Sequence, residues 1–275
     1  MPPTNTAEPE FEKPPIVEVA LGVQFSPLSA LRTVHLGLLW SMFRKDFPRT
    51  EDQPPLARAI ERFDKPDLPL FRIEPAPLTP RSWFLSKDGS ELVQVQQDRF
   101  VHNWRKMGSN TAYPRYRNLR EKFAENLRTF ESFAKAEQLG EFKPDQCELT
   151  YVDHIESGEV WKDFTQVDAV IRSWQPPKTD VKELVHENVT LEINHLILGK
   201  DGKPRGRLHI RVAPVYRMSD HAPILSLEFL ARGAPLAPGI NGILGFLDLA
   251  HDCTLGVFTT MTTTAIQKSW RLKNG

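Results

Sequence analysis

Eight prolines between Pro48 and Pro80 constrain the fold of this 275-residue chain more than any other feature. Proline fixes φ, lacks an amide donor and pushes the residue before it out of the helical region. The stretch therefore supports no long helix and no regular interior strand. Within it only Leu70-Phe71-Arg72-Ile73 reads as strand, and the remainder reads as an ordered or partly mobile surface crossing. Fourteen of the 23 prolines lie in residues 1–80, so the excess marks a connector and not the fold as a whole.

Hydrophobic period assigns the elements on either side. Residues 16–25 alternate as a strand, with Val17, Val19, Leu21, Val23 and Phe25 on one face. Leu31, Val34, Leu38, Leu39, Met42 and Phe43 recur at helical steps until Pro48. Trp83-Phe84-Leu85 and Leu92-Val93-Gln94-Val95 flank Asp88-Gly89, a hairpin signal. The second of these strands continues to Trp104. Its apolar phase slips from odd to even positions, which a one-residue bulge near Gln97-Asp98 would reconcile. A long helix is predicted from Pro114, ending before Gly140. The second half repeats this order: a strand at Cys147–Val152, a short amphipathic helix from Trp161 to Trp174, alternating strands around Val189–Ile197 and Leu208–Val212, a third at Ile224–Phe229, and a helix from Asn241.

These elements predict an α+β protein of two similar units, 16–140 and 141–275. Each unit has a curved antiparallel sheet with a long helix packed across one face, and the two form one compact body. Residues 1–15 are expected to be disordered or extended.

The N-terminus lacks a basic, apolar leader and no run approaches 18 apolar residues, so a cytoplasmic protein without membrane contact is expected. In that compartment Cys147 and Cys253 read as small buried hydrophobes. No nucleotide, hydrolase or zinc signature is present, and no cofactor or metal is expected. Gly239-Ile240-Asn241-Gly242-Ile243-Leu244-Gly245 lacks the spacing and the preceding parallel strand of a phosphate loop. His195 and His251 sit on apolar stripes and read as core histidines. Glu192 and Glu228, each mid-strand, are the one carboxylate pair that could face across neighbouring strands for acid–base work.

The formal charge of zero conceals segregation: residues 81–128 carry +5 and residues 129–200 carry −7. The densest polar cluster comprises Gln94, Gln96, Arg99, His102, Asn103, Trp104 and Arg105, followed by Tyr113, Arg115, Tyr116, Arg117 and Arg120. Basic groups interleaved with aromatic rings could hold a protein partner or small ligand, or could grip a nucleic-acid backbone with bases stacked on the rings. Neutrality averaged over patches favours partner recognition over bulk polyanion binding.

Pro14-Pro15-Ile16-Val17-Glu18-Val19, the run from Leu92-Val93-Gln94-Val95-Gln96 to His102-Asn103-Trp104-Arg105, and Tyr113-Pro114-Arg115-Tyr116 resemble segments of a sporadically distributed family of uncharacterised bacterial proteins of about this length. The resemblance implies no catalytic residues. It implies horizontally moved genes, of the kind found in antiviral defence and toxin–antitoxin loci. The expectation is a non-enzymatic cytoplasmic binding protein for a protein partner or small ligand, with nucleic-acid binding as the alternative.

Overall fold

The computed structural model describes residues 10–63, 79–108, 111–178 and 180–273. In chain order the elements are β1 (Glu10–Phe11), β2 (Ile16–Phe25), α1 (Thr33–Phe43), β3 (Arg49–Gln53), β4 (Arg81–Leu85), β5 (Glu91–Gln96) and β6 (Arg99–Arg105). There follow α2 (Tyr116–Ala136), β7 (Pro144–Glu156), a 3-10 turn (Phe164–Ala169), β8 (Leu191–Leu198), β9 (Pro204–Tyr216) and β10 (Pro223–Gly233). α3 (Gly239–Met261), α4 (Thr264–Ser269) and β11 (Leu272–Lys273) complete the chain.

The expectation of two units, each with its own sheet, is not met. Nine strands form one antiparallel sheet in the order β3-β4-β5-β6-β2-β7-β10-β9-β8. β2 and β7 pair at its centre, with Leu21 opposite Leu149 and Val23 opposite Cys147. Apart, each would present an unpaired edge flanked by fully buried apolar side chains. Pairing removes both edges and merges two cores into one. α2 packs on β6 and β2, α3 on β7, β10 and β9, and the two helices touch along the same face.

Alternation divides every strand between that face and the opposite one. On the helix side Phe25 and Phe100 meet Phe130 of α2 at ring separations of 5.5 and 5.2 Å. α2 buries Leu119, Phe123, Leu127, Phe130 and Ala134, a three-and-four-residue stripe, while Arg117, Glu121 and Arg128 stay in solvent. Each such Leu or Phe contributes about 1.5–3 kcal/mol of apolar burial.

Three local expectations change. The slip in phase after Val95 is a two-residue turn, not a bulge: Gln96 pairs with Arg99, and Gln97-Asp98 reverse the chain between β5 and β6. Residues 49–53 of the connector form an edge strand on β4, which Pro54-Pro55 terminate. The segment around Val167 is a 3-10 turn, capped by Asp163 accepting from the Thr165 amide at 3.0 Å. The strand reading of residues 70–73 lies outside the described residues. Residues 10–13 run beside residues 270–273, with the Lys13 amide donating to the Trp270 carbonyl at 3.0 Å.

The opposite sheet face is polar and the connector straps it. Residues 56–61 cross the strands, held from β5 to β9. Gln96 accepts from the Leu56 amide and donates to its carbonyl, both at 2.9 Å. Arg99 donates to the Ala57 carbonyl at 3.0 Å, and Gln146 accepts from the Glu61 amide at 2.9 Å. The Glu61 carboxylate meets Arg207 and, at 2.6 Å, His209. This backbone crosses the strands on their face and lies outside the ladder, so side-chain groups of the sheet supply its partners instead.

Candidate functional site

A cavity of about 510 Å³ opens at one end of the helix face. Ile16 of β2, Tyr151 and Asp153 of β7 and Phe229 of β10 supply its sheet wall. On α3, His251, Thr254, Leu255 and Phe258 share one face through their i, i+3, i+4, i+7 spacing and close it from above. Tyr113, Arg115, Tyr116 and Arg117 at the start of α2, with Phe11 of β1, form the rim.

The polar groups around it are fixed by one another. The Tyr151 hydroxyl lies 2.8 Å from His251 Nδ1. The His251 ring stacks on Tyr116 at 4.0 Å and 10°. Tyr116 donates to Asp248 Oδ1 at 2.9 Å, and Arg120 grips both carboxylate oxygens of Asp248 at 2.6 and 2.8 Å, tying α2 to α3. Burial raises both the Tyr116 and Tyr151 phenols, so they remain protonated.

Asp153 differs from these groups. It is 3% exposed, its Oδ1 has no hydrogen-bond partner among the described residues, and burial pushes its carboxyl up to about 8. Thr254 Oγ1, also buried at the cavity wall, is likewise without a partner there. At the rim Arg115 holds φ at +73°, a conformation that costs a non-glycine residue about 1–3 kcal/mol and that clusters at functional sites.

The twelve polar and aromatic residues singled out in the sequence do not form one surface. Tyr113, Arg115, Tyr116 and Arg117 line the cavity, and Arg120 braces it through Asp248. The rest divide by strand alternation. Gln94, Gln96, Arg99, Asn103 and Arg105 face the strapped side, whereas His102 and Trp104 face the helices. Gln94 accepts from Trp83 Nε1 at 2.9 Å and donates to Asn103 at 2.7 Å, and Asn103 donates to Glu18 at 2.7 Å. Arg99 pairs with Glu148 at 3.2 Å, and Arg105 lies 5.4 Å over the Trp83 ring. His102 is fully buried and its imidazole is pushed down to about 3, chiefly by burial and then by the Lys122 charge. Its 3.6 Å approach to Glu91 is thus a contact of a neutral ring, not an ion pair. Trp104 packs on Tyr113 at 5.4 Å and offers no open ring.

Glu192 and Glu228 do not face one another. Arg211 of β9 stands between them in register, two strand spacings or about 9.6 Å apart, and Glu192 is solvent-exposed. His195 is exposed on β8, the edge strand of the sheet among the described residues, and is not a core histidine. Gly242 has a packing role: a Cβ would collide with the Ala237 carbonyl. Among the described residues no three His, Cys, Asp or Glu side chains converge as metal ligands.

Sequence reasoning missed Tyr151, Asp153, Phe229 and Thr254. A signal for Asp153 existed: it occupies the inward phase Cys147, Leu149, Tyr151, Asp153, Ile155, where a charge has no place in an ordinary core. In comparisons with known proteins, no family model and no curated sequence matches the chain.

Proposed function

We propose that this protein is a non-enzymatic binding protein whose ligand is a small molecule held in the cavity between α2, α3 and β7. The observation that carries this reading is a buried carboxyl with an unpartnered oxygen at the wall of an aromatic-lined cavity of about 510 Å³. Pockets of roughly 300–1,000 Å³ with mostly apolar walls and few placed polar groups are typical of small-ligand sites. A buried polar atom without a partner is costly, so a ligand that satisfies it gains that energy on binding. The protonated phenols and the neutral carboxyl can bind and orient a ligand through hydrogen bonds. The strained Arg115 at the rim supports the same reading. The family resemblance carried by the Gln94–Arg105 and Tyr113–Tyr116 segments supports a role for such a sensor or regulator in a mobile defence or toxin-neutralising locus.

The test is a ligand-observed NMR screen of small aromatic compounds against the wild type and Leu255→Trp, which fills the half-buried mouth. Binders lost in the variant support the reading. No binder, or binders that survive in the variant, would overturn it.

A protein partner is the second reading, favoured by α1. Val34, Leu38 and Met42 form a stripe that is 71%, 52% and 53% exposed, while Leu36, Leu39 and Phe43 anchor the other side. Retained partner capture by Leu38→Asp would remove it. No observation favours nucleic acid, since Arg99, Arg120 and Trp104 are engaged internally.

A further inference from the structure

We propose that the cavity selects small organic cations, with the ligand's ammonium group seated on the Asp153 carboxylate and its body against the rings of Tyr151, Phe229 and Phe258. The inference rests on the small-ligand reading above and specifies its chemistry. Asp153 is almost fully buried, and its Oδ1 reaches no donor among the described residues. The other deeply buried carboxylates among the described residues are matched: Glu148 of β7 by Arg99 and Arg232, and Glu61 of the strap by Arg207 and His209. No lysine lines the cavity, and its two arginines stand at the rim on the α2 side. The strand neighbours of Asp153, Ile16 on β2 and Leu227 on β10, are apolar, and the titratable groups that share the cavity with it are the Tyr113, Tyr116 and Tyr151 phenols, the tyrosine-bonded His251, Arg115 and Arg117.

Among the described residues, Asp153 is thus a buried acid with no ion-pair partner, inside walls of aromatic rings. A cation is the ligand that both features favour. A carboxylate supplies full charge in a weakly screening interior, and ring faces attract cations through their quadrupoles. A metal ion is disfavoured, since a single carboxylate with no second ligand side chain cannot complete its shell. Because burial keeps the empty site protonated at neutral pH, entry of a cation displaces that proton to solvent: the O–H bond breaks as the ammonium takes its place.

The experiment is calorimetric titration with three probes of one shape, benzylamine as cation, benzyl alcohol as neutral form and benzoate as anion. Wild type should bind benzylamine at least about tenfold tighter than the other two. At pH 7 binding should release close to one proton, read from two buffers of different ionisation enthalpy. Asp153→Asn, isosteric with the neutral carboxyl and expected to fold, should lose the preference and the proton release while keeping its affinity for benzyl alcohol. Equal or tighter binding of the alcohol or benzoate, or a preference that survives Asp153→Asn, would overturn the cation assignment and leave the cavity reading standing. Binding of none of the three would overturn both.

Discussion

Gln24 holds the backbone of Ala59 at both ends, donating from Nε2 to its carbonyl at 2.8 Å and accepting its amide at Oε1 at 3.1 Å. Gln24 is fully buried at the centre of the sheet, so this contact ties the proline-rich strap to the part of the fold least able to move. Gln24→Ala leaves two strap backbone groups without partners and should cost about 1–3 kcal/mol in urea unfolding. It should also speed trypsin cleavage after Arg58 and Arg62 relative to the wild type. Unchanged stability with unchanged cleavage would show that the strap is held elsewhere.

Glu148 is the charge centre of the same face. It accepts from Gln24 Nε2 at 2.9 Å, Arg99 Nη1 at 3.2 Å and Arg232 Nε at 2.8 Å. Removing one member of a buried ion network strands the others, so Glu148→Ala should destabilise by about 3–5 kcal/mol. Glu148→Gln, which keeps the acceptor and drops the charge, should cost less. Chemical denaturation of the two variants decides this, and equal losses would mean that shape matters there and charge does not.

Asp153 gives stability a pH dependence whose sign is fixed. Its folded carboxyl keeps a proton up to about pH 8, against an ordinary value of 3.8. The native state thus binds the extra proton across that window. Its stabilising effect is complete below the window and declines as pH rises through it, by at most about 1.4 kcal/mol per pH unit. His102 acts in the opposite sense but lower, between about 3 and its ordinary 6.5, where stability rises with pH. From pH 6.5 to 8 the Asp153 effect stands apart from that of His102. The wild type should lose thermal stability over this interval and Asp153→Asn should not. Parallel melting curves for the two proteins would contradict the assignment.

Much of the fold is legible in the sequence because alternation and helical spacing report burial directly. β2, the Asp88-Gly89 hairpin, α2 and α3 all follow from it. The joining of two halves into one sheet is not legible, since the pairing of β2 with β7 depends on partners more than 100 residues apart. The phase slip at Gln97-Asp98 is ambiguous for a related reason: a bulge and a tight turn produce the same local pattern. The site is half legible. Tyr113, Arg115, Tyr116 and Arg117 stand out as a basic, aromatic cluster, whereas Gln96 and Arg99 look the same in sequence but hold the strap, and Gln94 bonds Trp83 and Asn103 within the sheet. A polar side chain on a strand reads as exposed unless the segment that covers it is known, and here the cover is the stretch whose prolines forbid regular structure. Asp153 was visible as an acid in an inward phase, but its lack of a partner is a property of three dimensions.

The central claim, a ligand in the cavity between α2, α3 and β7, is tested most directly by ¹⁹F NMR of protein labelled with 3-fluorotyrosine. The chain has only four tyrosines. Tyr113, Tyr116 and Tyr151 line the cavity, and Tyr216 lies outside it, 63% exposed near the end of β9. Titration with benzylamine, and separately with benzyl alcohol, should shift the three cavity resonances together with one saturation curve and leave that of Tyr216 in place. Cavity resonances that stay fixed at saturating probe, or a shift confined to Tyr216, would contradict it.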